Sequence, residues 1–154
     1  MRKIIEIISI LTIIIIISLY QPVFAGNRTS ITITAVVLPR IFQSIIHQES
    51  MINIRNEDIE KGYIEVPSGT ILQVRTNHRS GYMLYFEVGN EIFKEILVME
   101  KGRVTALSSN GGLIHQPYSG STLEIKDLSY KLFLREGVKP GLYSWPLRVK
   151  ATLL

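Results

Sequence analysis

The sequence predicts an all-β protein, a single antiparallel β-sandwich spanning residues 26–154. Three observations carry that expectation. Past residue 25, apolar and polar residues alternate with a period of two, which places successive side chains on opposite faces of a sheet. Turn clusters rich in Gly, Pro, Asn and Ser recur roughly every ten residues, the spacing of short strands in a sandwich or barrel. Helical periodicity is almost missing, apart from a stripe of about two turns at Ile92, Phe93, Ile96 and Leu97.

Residues 1–25 read as a secretory signal peptide. Arg2 and Lys3 precede a largely apolar run over 4–19 whose one charge is Glu6, and Val23-Phe24-Ala25 supplies small residues for cleavage after Ala25. The run falls short of the roughly 17–25 apolar residues of a spanning helix, so a membrane is involved only through this segment if it stays uncleaved. The expected product is exported to the periplasm or cell surface. With 154 residues, 46% of them hydrophobic, the chain supports one core and one domain. There is no cysteine, so that core forms without disulfides.

In chain order, Ile31, Ile33, Ala35 and Val37 share one face of a predicted first strand, with Thr32 and Thr34 opposite and Pro39 ending the ladder. Residues 40–46 restart it after a bend. Short strands follow over 51–54 and 63–66, separated by the polar stretch RNEDIEKG and closed by a turn at Pro67-Ser68-Gly69. Residues 70–76 and 82–88 read as a hairpin joined by Asn77-His78-Arg79-Ser80-Gly81. A strand is expected over 96–99, with a helical turn before it, and a shorter one at Leu113-Ile114 between two loop tracts. The chain ends in a second expected hairpin. Leu128, Tyr130, Leu132 and Leu134 form one face of its first strand; Tyr143, Trp145, Leu147, Val149, Ala151 and Leu153 form one face of its second. Pro140-Gly141 is the turn.

Chemistry-bearing motifs are sparse. His47, His78 and His115 match no metal-ligand spacing, and Asp58 and Asp127 are the only aspartates. No G-x-S-x-G elbow places a nucleophile. The carboxylates of 56–60 lack the alternating oxygen ligands and central glycine of a calcium loop. The formal charge of +4 is scattered, and Arg148 with Lys150 does not make a nucleic-acid stripe. No cofactor, metal site, catalytic residue or nucleic-acid partner is expected.

A signal peptide, an alternating first segment ITITAVVLPR and a terminal G-x-Y-x-W-P-L-x-V strand carried by Gly141, Tyr143, Trp145, Pro146, Leu147 and Val149 together resemble bacterial secreted β-sandwich proteins related to fimbrial subunits and spore coat protein U. The resemblance implies an immunoglobulin-like, pilin-like sandwich lacking one strand, completed by a strand from a chaperone or a neighbouring fibre subunit. Two departures stand out: Arg40, Ile41 and Phe42 occupy the place of the family's first disulfide cysteine, and only residues 26–29 precede the expected first strand.

The leading expectation is an exported, non-enzymatic structural or interaction protein, an accessory subunit of a surface fibre acting by β-strand pairing. Tyr143, Trp145, Leu147, Val149, Ala151 and Leu153 would border its binding groove. Pro146 lacks a backbone donor and so marks an edge or a bulge there. The alternative is a self-complete periplasmic sandwich binding a small ligand or glycan through Tyr85, His115 and Tyr118.

Overall fold

The structure, a computed structural model, describes residues 12–15, 34–89 and 91–154. Apart from residues 12–15, the expected signal peptide and its cleavage point at Ala25 lie outside the described residues, as do positions 31–33 of the expected first strand. The chain divides into two units, Met1–Val36 and Val37–Leu154. In the first, residues 12–15 are helical and exposed, and residues 34–36 are exposed without regular structure. Among the described residues no helix is long and apolar enough to cross a membrane.

In the second unit every strand pairing is antiparallel. Its strands are β1 (Ile41–Gln48), β2 (Met51–Ile54), β3 (Tyr63–Thr76), β4 (Tyr82–Val88), β5 (Phe93–Glu100), β6 (Arg103–Ser108), β7 (Gly111–Gln116), β8 (Leu123–Leu134), β9 (Gly141–Ser144) and β10 (Leu147–Leu153). Eight of them form one sheet in the order β1-β3-β8-β5-β6-β7-β4-β10, and β2 pairs with β9 in a second, two-stranded sheet. The large sheet curls until its two edge strands lie beside each other, as hydrogen bonds from β1 side chains to the β10 main chain show.

The period-two pattern sets the core. Leu72 and Val74 of β3, Leu84 and Phe86 of β4, and Leu128 and Leu132 of β8 are buried on the concave face, joined by Ile52 and Ile54 of β2. Each such side chain contributes roughly 1.5–3 kcal/mol relative to exposure, which lets a chain without disulfides hold its fold.

Several local expectations change. The stretch RNEDIEKG is not a loop but contains a short helix, α1 (Asn56–Lys61). Asp58 Oδ2 accepts from the Arg55 amide at 3.0 Å, and Gly62 closes the helix at φ 77°, a left-handed value that glycine tolerates without Cβ strain. Pro67-Ser68-Gly69 does not separate two strands; it is a bulge inside the single strand β3, where the register against β8 shifts between Val66 and Thr70.

Neither expected hairpin forms. β3 pairs with β1 and β8, while β4 pairs with β7 and β10. The loop 77–81 therefore passes over the end of the β1–β10 junction instead of making a tight turn. β8 likewise pairs with β3 and β5, not with the C-terminal strands. A five-residue polar loop suits either path, and local spacing does not tell a hairpin from a crossing within a curled sheet.

Among the described residues the first strand begins at Ile41, later than expected. Ile41 pairs with Thr76, the last residue of β3, and after Arg40, which still bonds to Asn77, the chain ahead of it has run past the end of its one ladder partner. Residues 34–40 accordingly have no strand partner, and Val36, Val37 and Leu38 are 65–79% exposed. Residues 34–37 of the expected first strand are therefore not part of a strand.

Candidate functional site

The distinctive feature of the fold is a fork. Segments 41–54 and 141–153 run antiparallel beside each other, and at one end they are laddered through their main chains, Met51 with Ser144, Ile52 with Tyr143, Asn53 with Leu142 and Ile54 with Gly141. The Trp145 amide donates to Ser50 O at 2.9 Å and extends that ladder by one step. Beyond it the segments part. β1 follows β3 and β10 follows β4, and the two become the opposite edges of the large sheet.

Across this seam the contacts are made by side chains. Gln48 Nε2 donates to Leu147 O at 2.5 Å, and Gln43 Nε2 donates to Val149 O at 2.8 Å. Gln43 Oε1 in turn accepts from the Ala151 amide at 2.5 Å. One carboxamide thus serves a carbonyl and an amide on the same strand edge, the part a peptide unit of a paired strand would play. The main-chain groups of Leu147, Val149 and Ala151 face the seam, because Arg148, Lys150 and Thr152 alternate with them along the ladder to β4.

The seam also opens onto apolar side chains. Ile45 pairs with the fully buried Leu72, so it points to the concave face, yet it is 50% exposed. An inward isoleucine reached by solvent marks a place where the core lacks a covering layer. On the other wall Leu147 and Val149 are buried, and Ala151 and Leu153 are partly so.

The six residues expected to border a groove are therefore not one strand face. Tyr143 lies in β9, where its hydroxyl donates to Lys139 O at 2.9 Å. Trp145 sits in the break between β9 and β10, its ring edge-on to Tyr130 with centroids 5.4 Å apart. Leu147, Val149, Ala151 and Leu153 line the seam itself. Pro146 occupies the fork outside both strands, and its carbonyl accepts from the Gly89 amide at 2.8 Å.

Gln43 and Gln48 were missed by sequence reasoning. The available signal was parity: Gln43 falls between Ile41 and Ile45 on the inward face of β1.

A second polar feature lies inside the sheet. Lys126, buried on β8, directs its ammonium at Gln116 Oε1 (2.9 Å), Glu100 Oε1 (3.0 Å) and Glu124 Oε2 (2.8 Å). All three of its donors are then used. Ser119 Oγ donates to Glu124 at 2.7 Å, and the Tyr82 hydroxyl lies 3.4 Å from the same carboxylate. Burial alone would raise the Glu124 carboxyl, but hydrogen bonds from Lys126 and Ser119 and the Lys126 charge outweigh it and hold its pKa below the usual value. Burial first, then the Glu124 and Glu100 charges, push the Tyr82 phenol up.

A cavity of about 200 Å³ opens over this cluster, lined by Lys101, Arg103, Pro117 and Tyr118 among others. Of the alternative ligand contacts only Tyr118 lines it. Tyr85 and His115 stand on the outer face of neighbouring strands β4 and β7, in adjacent pairs Tyr85 with Leu113 and Met83 with His115.

The three histidines meet main chain or an exposed neighbour. His47 lies 3.5 Å from Glu49 at the surface, His78 Nδ1 lies 3.0 Å from Gly81 O, and His115 Nε2 lies 3.4 Å from Ser80 O. Among the described residues no three His, Asp or Glu side chains are gathered as a metal site. No protein-family model, curated protein or solved structure matches this chain.

Proposed function

We propose that this protein is an exported, non-enzymatic subunit of a surface assembly that takes up an extended segment of another chain at the β1–β10 seam. The observation that carries the reading is the seam: two edge strands side by side, with no ladder between them and an inward isoleucine half exposed. An added strand would cover Ile45 and pair with the seam-facing groups of Leu147, Val149 and Ala151, and main-chain hydrogen bonds would supply most of the affinity.

Geometry supports room for one strand and no more. The loop 77–81 joins β3 to β4 across β1 and β10, and its six Cα steps from Thr76 to Tyr82 reach about 20 Å at full extension. Three strand spacings of about 4.8 Å separate β3 from β4 with the seam closed, and four, about 19 Å, with one strand added.

The occupant we favour is the segment ahead of β1 in a second copy of the chain. Residues 34–38 belong to no strand, among the described residues Leu38 O accepts only from the Asn77 side chain, and Val36, Val37 and Leu38 are exposed. Sedimentation of the purified exported protein tests this. Concentration-dependent association, abolished by Val37→Asp, is the expected result. A protease-resistant monomer at all concentrations would overturn the reading, and association only with a periplasmic chaperone would assign the occupant to that partner instead.

The cavity beside Tyr118 favours a second reading, a small-ligand or glycan site. Tyr118→Ala would then abolish binding of the sugar or peptide found in a glycan-array or ligand screen while leaving the thermal transition unchanged.

A further inference from the structure

We propose that Gln43 and Gln48 form a releasable latch: in the unpartnered protein their carboxamides occupy the β10 main-chain sites that an added strand must take, and strand capture begins with their displacement. The proposal rests on the strand-addition reading above and specifies how that site is regulated.

Three features argue for a latch and against incidental contacts. The first is position. Gln43 and Gln48 pair with Val74 and Thr70, which are 1% and 0% exposed, so both glutamines face inward, where a long amide has no reason to lie unless its hydrogen bonds are made there. The second is chemistry. A carboxamide offers a neutral N–H donor and a carbonyl acceptor in one plane as a peptide does, and Gln43 uses both, on Val149 O and the Ala151 amide.

The third is the contrast with ordinary edge protection. Sheet edges are commonly blocked by inward charges, proline or short strands, which exclude partners permanently. β10 runs seven residues with no proline inside it, and β1 presents neutral amides to its edge. A neutral carboxamide satisfies the edge and can still be exchanged for a peptide group of the same hydrogen-bonding character.

The latch also explains how an open edge stays soluble before its partner arrives. Leu147 O, Val149 O and the Ala151 amide are satisfied within the molecule, so an encounter with a random extended segment brings little net gain. A matching segment gains more because it also covers Ile45, which the glutamines leave exposed.

The test uses a fluorescently labelled peptide with the sequence of residues 30–38, added to the exported protein, and follows capture by anisotropy. The Gln43→Ala, Gln48→Ala double variant is expected to capture the peptide about tenfold faster than wild type, an order-of-magnitude figure for the loss of a few modest hydrogen bonds. Gln43→Glu keeps the size and the acceptor for Ala151 but turns a carboxylate toward Val149 O, and should also accelerate capture.

Hydrogen exchange reports on folding in the same samples. The Ala151 amide should exchange about tenfold faster in the double variant, while the Arg148 and Lys150 amides, paired to β4, keep their protection. If those two amides lose protection as well, Gln43→Glu decides the question. Capture at the same rate by wild type and Gln43→Glu would overturn the latch and leave strand addition standing. Failure of every form to capture the peptide would overturn uptake of the segment ahead of β1 at this seam, and the latch on that uptake with it.

Discussion

The β2–β9 ribbon and the β1–β10 seam belong to the same two segments of chain, yet one is a main-chain ladder and the other is bridged by glutamines. Local sequence does not explain the difference, since β1 and β2 are both rich in isoleucine. Topology does. β2 and β9 pair only with each other, so nothing opposes their approach. β1 is held by β3 and β10 by β4, at opposite ends of an eight-stranded sheet, and the curl of that sheet sets how near they come. The bulge between Ile45 and His47 in β1 adds to the mismatch by breaking the register midway along the seam. Whether an edge is open is thus decided by what else each strand is tied to.

The strongest way to break the comparison is to remove the frame that holds the seam apart. Leu132 is fully buried on β8, between β3 and β5. Leu132→Ala should cost about 3–4 kcal/mol, within the range for leucine truncations in packed cores, read as a shift of the urea midpoint. Ribbon and seam should then lose hydrogen-exchange protection together, because both depend on the large sheet.

Next in size is the buried ammonium. Lys126→Met leaves Glu100 and Glu124 facing each other without their shared cation, and should cost about 3 kcal/mol at neutral pH. The sign with pH follows from Glu124. Its folded pKa lies below the ordinary carboxylate value, so its contribution is present above that ordinary value and is lost as pH falls through the lowered one. In the variant the unpaired carboxylates lose their repulsion on protonation. The gap between wild type and Lys126→Met should therefore narrow on acidification, checked by denaturation at pH 7 and pH 3. The seam, whose bridges are neutral amides, should show no such dependence.

Much of this fold was legible in the sequence. The antiparallel all-β class follows from alternation alone, and most strands between β2 and β10 fall where apolar parity places them. Partner choice was not legible. The pairing of β3 with β8 joins residues about sixty positions apart, and a polar loop such as 77–81 carries no mark of which neighbours it links. The start of the first strand was misplaced because the sequence over 31–37 alternates, Ile31, Ile33, Ala35 and Val37 against Thr32 and Thr34, and such a pattern does not show that β3 ends at Thr76 and leaves residues 34–37 without a ladder partner. The Lys126 cluster was overlooked although Lys126 shares parity with Leu128, Tyr130 and Leu132; a charge on an inward position signals a buried ion pair. Gln43 carried the same signal in a neutral form.

The smallest effect is the sharpest on the comparison itself. Ile52 on β2 and Ile45 on β1 are isoleucines facing the same interior from the ribbon and the seam, at 5% and 50% exposure. Ile52→Ala should cost about 2–3 kcal/mol, since truncation there leaves a cavity that its neighbours cannot fill. Ile45→Ala should cost under about 1.5 kcal/mol, because half of the side chain is already hydrated and no closed cavity forms. Once a strand occupies the seam the ranking should change, for the surface Ile45 shows to solvent is what the newcomer covers. Ile45→Ala would then weaken peptide capture by more than it weakens the free protein, while Ile52→Ala would weaken the free protein more. Equal costs for the two truncations in the free protein would mean that the seam is already closed over Ile45, and that the fork is a single continuous ladder in solution.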